Sequence, residues 1–132
     1  MKIKQNIAMK AYVSVKYLNQ QKLSSGKVAK QVYELTNKLK PAYDFQIQEE
    51  QKIYASHPDF DPSIGGIRLE NKTDEEKKLA TENIKKIDTE LKDLANVDFE
   101  IDFEKFDFDL AQNSVRISGE DIGNLDMFIN VI

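Results

Sequence analysis

Apolar residues recur at intervals of three and four over the first 55 positions, which is the spacing of one face of an α-helix. The first set on such a face comprises Ala8, Ala11, Tyr12, Val15 and Leu18. This set predicts a helix over about residues 6–21. The segment Leu23-Ser24-Ser25-Gly26 follows and supplies two hydroxyl caps and a flexible glycine, which favour a helix–helix turn. The next helix is therefore expected to run antiparallel to the first.

A proline interrupts the second helical segment. The residues at helical spacing are Val28, Val32, Leu35 and Leu39 before the proline, and Tyr43, Ile47, Glu50 and Tyr54 after it. Pro41 removes a backbone donor and crowds the preceding turn, at a cost of about 3 kcal/mol or more. Because the spacing is the same on both sides, we predict one helix over about residues 26–55 with a kink at Pro41.

Turn-forming residues dominate positions 57–72, which contain two of the three prolines and two of the five glycines. They predict a loop with a short strand at 67–69. A third helix is predicted over residues 73–95, because Thr73 and Glu76 have the spacing of a capping box. The apolar positions expected to form its core face are Leu79, Ile84, Ile87, Leu91 and Leu94.

The apolar period changes from helical to alternating at Val97, which predicts a strand. Apolar Val97, Phe99, Ile101 and Phe103 alternate with Asp98, Glu100, Asp102 and Glu104. After Lys105 the phase inverts, and Asp107 and Asp109 stand between Phe106, Phe108 and Leu110. A slip of one residue exchanges the two faces of a strand, so a bulge or break is expected near Glu104-Lys105.

The last eighteen residues contain signals for a strand at 115–117, a cap and one helical turn from Ser118, and an apolar tail at 128–132. The tail is expected to dock on the sheet or on a neighbouring subunit. Together, the elements predict an α+β fold in a single domain, residues 1–132. It would contain an antiparallel helical hairpin with a long kinked second helix (1–56), the loop, a third amphipathic helix, and a small antiparallel β region in an acidic strand and tail segment (97–132).

The absence of cysteine excludes disulfides, thiolate metal sites, iron–sulfur clusters and cysteine nucleophiles, and it favours a reducing compartment. Lys10 interrupts the first apolar run, which argues against a signal peptide. No run reaches the ~18 apolar residues of a membrane span. These features predict a cytoplasmic protein with no membrane contact.

Charge is distributed unevenly between the two halves of the chain. Residues 1–56 hold ten lysines against four acidic residues, a net charge of +6, whereas residues 57–132 hold nine basic against nineteen acidic residues, a net charge of −10. The halves are expected to pack on each other or to associate between subunits. Nucleic acid is not an expected partner, because the lysines of the first half are dispersed and accompanied by no arginine.

No sequence pattern indicates a catalytic, cofactor or metal site, so we expect a non-enzymatic protein without a cofactor. His57 is alone, and a solvent-exposed loop position is the expectation for it. Asp59 and Asp61 alternate as in a calcium loop, but Ile64 stands where such a loop has its glycine. Gly65-Gly66 lacks the lysine and hydroxyl of a phosphate loop.

Six carboxylates of the alternating segment are the candidate partner-binding residues: Asp98, Glu100, Asp102, Glu104, Asp107 and Asp109. A row of like charges on a solvated sheet face discourages edge-to-edge pairing, which is one interpretation. The other is an acidic docking surface for a basic partner, with mimicry of nucleic acid by an inhibitor as an extreme case. Four apolar residues outside the core stripes are candidates for contact with another subunit: Tyr17, Tyr33, Phe45 and Ile53.

Several segments resemble a family of small uncharacterised proteins of tailed phages and prophages. The matching segments are Ala11-Tyr12 to Leu18, Gln21-Lys22-Leu23, Lys27-Val28-Ala29-Lys30, Leu35 to Leu39 leading to Glu49-Glu50, and Asp121 to Ile129. The resemblance implies a viral gene context, which would place the protein in the host cell cytoplasm or in the virion, and it brings no catalytic residues. It leads to the hypothesis of a phage-encoded, non-enzymatic protein that forms oligomers or binds a protein partner in virion assembly or in an accessory structural role. The alternative is a phage inhibitor of a host protein, of the anti-defence type, that uses the acidic strand face.

Overall fold

The computed structural model describes residues 1–132 and confirms the α+β class with its helical hairpin. The elements are β1 (Lys2–Lys4), α1 (Gln5–Asn19), α2 (Gly26–Ala55), β2 (Phe60–Asp61), β3 (Gly66–Ile67), α3 (Asp74–Ala95), β4 (Asp98–Glu100), β5 (Phe106–Phe108), α4 (Gly119–Leu125) and β6 (Ile129–Val131). The chain forms two compact units. The first unit comprises Met1–Asp44 and Asp98–Ile132, and the second comprises Phe45–Val97.

The predicted core face of α1 is buried in the first unit. All five of its apolar positions are buried, and they pack with residues of α2 and of the C-terminal segment in one hydrophobic cluster. The turn between α1 and α2 is held by Asn113, whose side-chain oxygen accepts a hydrogen bond from the backbone N–H of Ser24 at 2.9 Å. This buried asparagine fixes the turn because its own amide also donates to the carbonyl of Asp109.

Pro41 lies inside α2, which runs over the predicted residues 26–55 as one helix. The proline ring is exposed, and its missing N–H leaves the carbonyl of Asn37 without its usual helical donor. One residue later, the carbonyl of Ala42 accepts a hydrogen bond from the side-chain amide of Gln5. Gln5 is fully buried at the start of α1, so this bond joins the two helices beside the proline.

The N-terminal residues form a strand that sequence periodicity did not predict. β1 pairs antiparallel with β4, and Lys2, Ile3 and Lys4 lie opposite Glu100, Phe99 and Asp98. Ile3 faces the core and the two lysines face solvent. The predicted strand from Val97 is shorter than expected, because it ends at Glu100 and no strand is formed over residues 101–105. This interruption includes the predicted break near Lys105.

The apolar tail docks as a strand, but its parallel pairing departs from the predicted antiparallel β region, in which only β4 has an antiparallel partner. β6 pairs parallel with β5, and Phe106 lies opposite Ile129. Phe128 and Ile129 are fully buried. The predicted strand at 115–117 is absent, because this part of the chain follows tight turns in which Ser114 donates to Ala111 and Val115 donates to Leu110. Ser114 has a φ of 54°, which takes the backbone out of the extended region.

The second unit contains α3, the hairpin of β2 and β3, and the end of α2. The predicted capping box is confirmed, since Thr73 accepts from the N–H of Glu76 at 3.2 Å and Glu76 accepts from the N–H of Thr73. Ile87 and Leu94 are buried as predicted. Leu79 was predicted to be core but is 56% exposed, and its neighbour Ala80 is buried instead.

The β2–β3 hairpin replaces the strand predicted at 67–69, and Gly65 supplies the positive φ of +64° in its turn. Ile67 is the buried residue of this hairpin. None of the helices combines the length and apolar character that a membrane crossing needs.

Candidate interaction surfaces

The six predicted partner-binding carboxylates do not form one row. Asp98 and Glu100 lie on β4 and Asp107 lies on β5, and these two strands belong to different sheets. Asp102 and Glu104 lie in the segment between the strands, and Asp109 follows β5. The structure therefore divides the acidic segment into separate groups with different surroundings.

The carboxylates of β4 have partners within the first unit. Asp98 Oδ1 accepts a hydrogen bond from Lys4 Nζ at 2.9 Å, and this bond together with the lysine charge lowers the pKa of Asp98. Glu100 Oε1 lies 3.2 Å from the amino group of Met1. Both pairs are largely solvent-exposed, so they set the β1–β4 register more than they stabilise the unit.

Of the remaining four carboxylates, two accept a hydrogen bond and two do not. Asp107 Oδ1 accepts from Asn130 Nδ2 at 2.9 Å, and Asp109 Oδ1 accepts from the N–H of Gln112 at 2.9 Å. The carboxylates of Asp102 and Glu104 are exposed and accept no hydrogen bond from the protein. Lys38 reaches this segment through the carbonyl of Asp102. Basic and acidic halves of the chain thus meet inside the first unit, at Lys4–Asp98 and at Lys38.

A groove of about 660 Å³ lies between α2 and the segment that leads into β5. Its lining comprises Lys27, Val28, Gln31, Glu34, Lys38, Phe103, Glu104, Lys105, Phe106 and Asp107. Lys38 Nζ lies 5.7 Å from the centre of the Phe103 ring, which is a cation–π contact between α2 and the segment before β5. The sequence shows the polar stripe of α2 at helical spacing, but no local pattern indicates that residues 103–107 lie opposite it.

The outward face of α1 exposes apolar side chains one turn apart. Val13 is 60% exposed and Tyr17 is 42% exposed, on the side of the helix opposite its buried stripe. Met9 lies one turn before Val13 and is half-buried. Tyr17 was predicted as a subunit contact from its position outside the core stripe. Val13 was not predicted, although Met9, Val13 and Tyr17 recur at the helical spacing of four residues.

A seam between α1 and α4 borders this face. Ser14 Oγ donates to Asp121 Oδ1 at 2.7 Å, and Asn124 Nδ2 donates to Ser14 Oγ at 3.2 Å. The bond from Ser14, followed by those from Ser118, lowers the pKa of Asp121. Ser118 and Asp121 also form the capping box that begins α4. The seam holds a depression of about 360 Å³ that reaches Met9 and Val13.

The loop residues of the second unit have structural partners. His57 is not the exposed residue that was predicted: its side chain is mostly buried, and Nε2 lies 3.2 Å from Glu90 Oε2. Asp59 accepts from Asn83. Asp61 accepts from Ser63 and Arg68, and the Ser63 side-chain bond is the largest cause that lowers the pKa of Asp61.

No group of three or more histidine, aspartate or glutamate side chains is placed to hold a metal ion. No protein-family model, curated protein or solved structure matches the chain. Two surfaces of the first unit are candidates for contact with a partner: the α1 face, defined by Met9, Val13 and Tyr17, and the groove beside β5.

Proposed function

We propose that this chain is a phage-encoded, non-enzymatic protein that acts through protein–protein contacts, in virion assembly or as an accessory structural component. The observation that supports the contacts is the α1 face, where Val13 and Tyr17 present apolar surface to water. The resemblance to small proteins of tailed phages supports the viral context.

The α1 face suits contact with a second copy of the chain. Its centre is apolar, and tyrosine is enriched at protein interfaces. Lys10 and Lys16 flank it on α1, whereas Glu120 lies across the seam on α4. In a two-fold symmetric pair, each surface meets an identical one, so the lysines of one copy can lie against the acidic border of the other. The face is thus self-complementary in charge as well as apolar.

Self-association is expected to fail when a charge is placed at the centre of the α1 face. Val13→Asp should raise the dissociation constant roughly 30-fold, as loss of about 2 kcal/mol at a central interface position does. Light scattering over a range of protein concentrations measures this. Asn37→Asp adds the same charge at an exposed site of α2 and should leave the association unchanged. A wild-type chain that stays monomeric and recovers no partner from infected-cell lysate contradicts the proposal.

The second candidate function is the inhibitor of a host protein. The free carboxylates of Asp102 and Glu104 favour it, because their charge is not used within the chain. Replacing both with their amides, Asp102→Asn and Glu104→Gln, should abolish the growth or anti-defence effect of the expressed protein. Asp98→Asn together with Glu100→Gln is the matched control, since those carboxylates are already paired within the first unit. Equal activity of the wild type and the Asp102/Glu104 variant would remove this candidate.

A further inference from the structure

We propose that the open edge of β5 is a docking site for an extended segment of a protein partner, in which basic and apolar residues alternate. The segment would add to β5 as a third strand and lie in the groove beside α2. This proposal rests on the proposed function, that the chain works through protein contacts, and it names a surface different from the α1 face.

The hydrogen bonds of β5 leave one of its edges without a partner. Phe106 donates its N–H to the carbonyl of Phe128 at 3.3 Å, and Phe108 accepts from the N–H of Ile132 at 2.9 Å. Backbone groups of successive strand residues point to opposite edges, so the N–H and C=O of Asp107 point away from β6. The sheet has two strands only, and no third strand covers that edge.

The groove provides space next to this edge. It is about 660 Å³ in volume and includes Phe106 and Asp107 of β5 together with Val28 and Lys38 of α2. That volume lies within the range of known ligand sites, roughly 300–1,000 Å³. An added strand forms main-chain hydrogen bonds to the edge and places alternate side chains on the two faces of the sheet. The edge and the groove therefore fit an extended chain better than a compact ligand.

The charges around β5 define the pattern of the occupant. The side chain of Asp107 faces solvent, between the buried Phe106 and Phe108, and the half-buried Asp109 follows just after the strand. A strand paired with β5 would place its outer side chains beside these carboxylates, where lysine or arginine is favoured. Its inner side chains would meet Val28 and Phe103, where apolar groups are favoured.

A second copy of this chain is a poor occupant of the same edge. Antiparallel pairing of two β5 strands about their centres would place Asp107 against Asp107. Like charges directly opposite each other destabilise a strand pair. Asp107 thus disfavours pairing with a second β5 strand and favours a basic segment. The same carboxylate would discourage edge-to-edge pairing between copies and contribute to docking of a basic partner.

The probe for this site is a fluorescein-labelled nine-residue peptide of alternating lysine and valine, added to the full chain and followed by fluorescence anisotropy. Binding should weaken with added salt, and a peptide of alternating glutamate and valine should bind at least roughly tenfold more weakly. Two further peptides carry N-methyl groups, one phase with them on every lysine and the other phase with them on every valine. The N–H groups of alternate residues point to opposite edges of a strand, so one of these peptides should lose binding and the other should retain it. Equal binding of the lysine and glutamate peptides, or equal effects of both methylation phases, would overturn the proposal.

Asp107→Pro tests the edge from the protein side. It removes a backbone donor that the β5–β6 pair does not use, and proline is accepted where a strand N–H faces solvent. Peptide affinity should fall roughly tenfold or more, as the loss of a main-chain bond and a neighbouring charge implies. Asp107→Asn removes the charge alone and should lose less. Unchanged affinity in a folded Asp107→Pro chain overturns the proposal; if that chain does not fold, the methylated peptides decide.

Two further measurements separate this proposal from the proposed function. Val13→Asp disrupts the α1 face and should bind the peptide with wild-type affinity. Loss of self-association in Asp107→Pro, without peptide binding by the wild type, would assign the edge to a second copy and refute the basic segment. A chain that binds the peptide but never self-associates would retain the edge and contradict the α1 interface.

Discussion

Phe108→Ala is expected to lower the free energy of unfolding by about 3–5 kcal/mol, the range for removal of a buried aromatic ring. Phe108 is the largest side chain with no solvent exposure, and it lies on β5 within the hydrophobic cluster of the first unit. Its loss combines the transfer of the ring from water with a cavity that the surrounding side chains fill only partly. Since small proteins have net stabilities of about 5–15 kcal/mol, this change would remove a large share.

Urea or guanidinium denaturation followed by circular dichroism measures the loss, with wild type and variant compared at the same protein concentration. Tyr33→Ala is the matched control, because it also removes an aromatic ring from the first unit but at an exposed position of α2. Its effect should stay within about 0.5 kcal/mol. A Phe108→Ala chain as stable as Tyr33→Ala would show that β5 does not pack as described.

Ile87→Ala is expected to cost about 2–5 kcal/mol in the second unit, as for other buried aliphatic truncations. Ile87 is fully buried on α3, near the middle of the helix. The second unit has few buried apolar residues, and those on α3 besides Ile87 are Ala80 and Leu94. With such a small core, little neighbouring apolar volume is available to close the cavity, so we expect the upper part of the range.

Leu79→Ala on the same helix provides the comparison. Leu79 is 56% exposed, so its truncation should change the free energy of unfolding by no more than about 0.5 kcal/mol. Hydrogen exchange of the α3 amides, measured for both variants, localises the effect to the second unit. Equal losses for Ile87→Ala and Leu79→Ala would contradict the orientation of α3 given by its buried residues.

These two positions also show what sequence periodicity could predict. The helices and their bounds were predicted closely, because α1, α2 and α3 have apolar residues at helical spacing and α3 begins with a capping box. The same spacing placed Leu79 on the core face, since a helix of 22 residues has room for an apolar residue at the edge of its stripe. Periodicity predicts the direction of a face but not how far the neighbouring elements extend over it.

The strand pairings, the open edge of β5 and the groove beside it could be found only from the structure. The alternation from Val97 predicted strands and an acidic row but not their partners. β4 pairs with residues at least 94 positions away in sequence, and β5 pairs with residues 23 positions away. Lys2, Ile3 and Lys4 alternate over only three residues, too few to predict a strand. The open edge of β5 depends on which side β6 occupies, and the groove depends on a helix from another part of the chain. Neither relation is encoded in a local pattern.

The pairing of β1 with β4 has a consequence for the order in which the protein is made. The ribosome synthesises Lys2 about a hundred residues before its partner Glu100. Until that point β1 has no strand to pair with. Ile3 stays exposed to water while α1 and α2 are already available to fold. The β1–β4 pair of the first unit therefore forms late in synthesis, and until then the edge of the N-terminal strand is open to chaperones and to premature association.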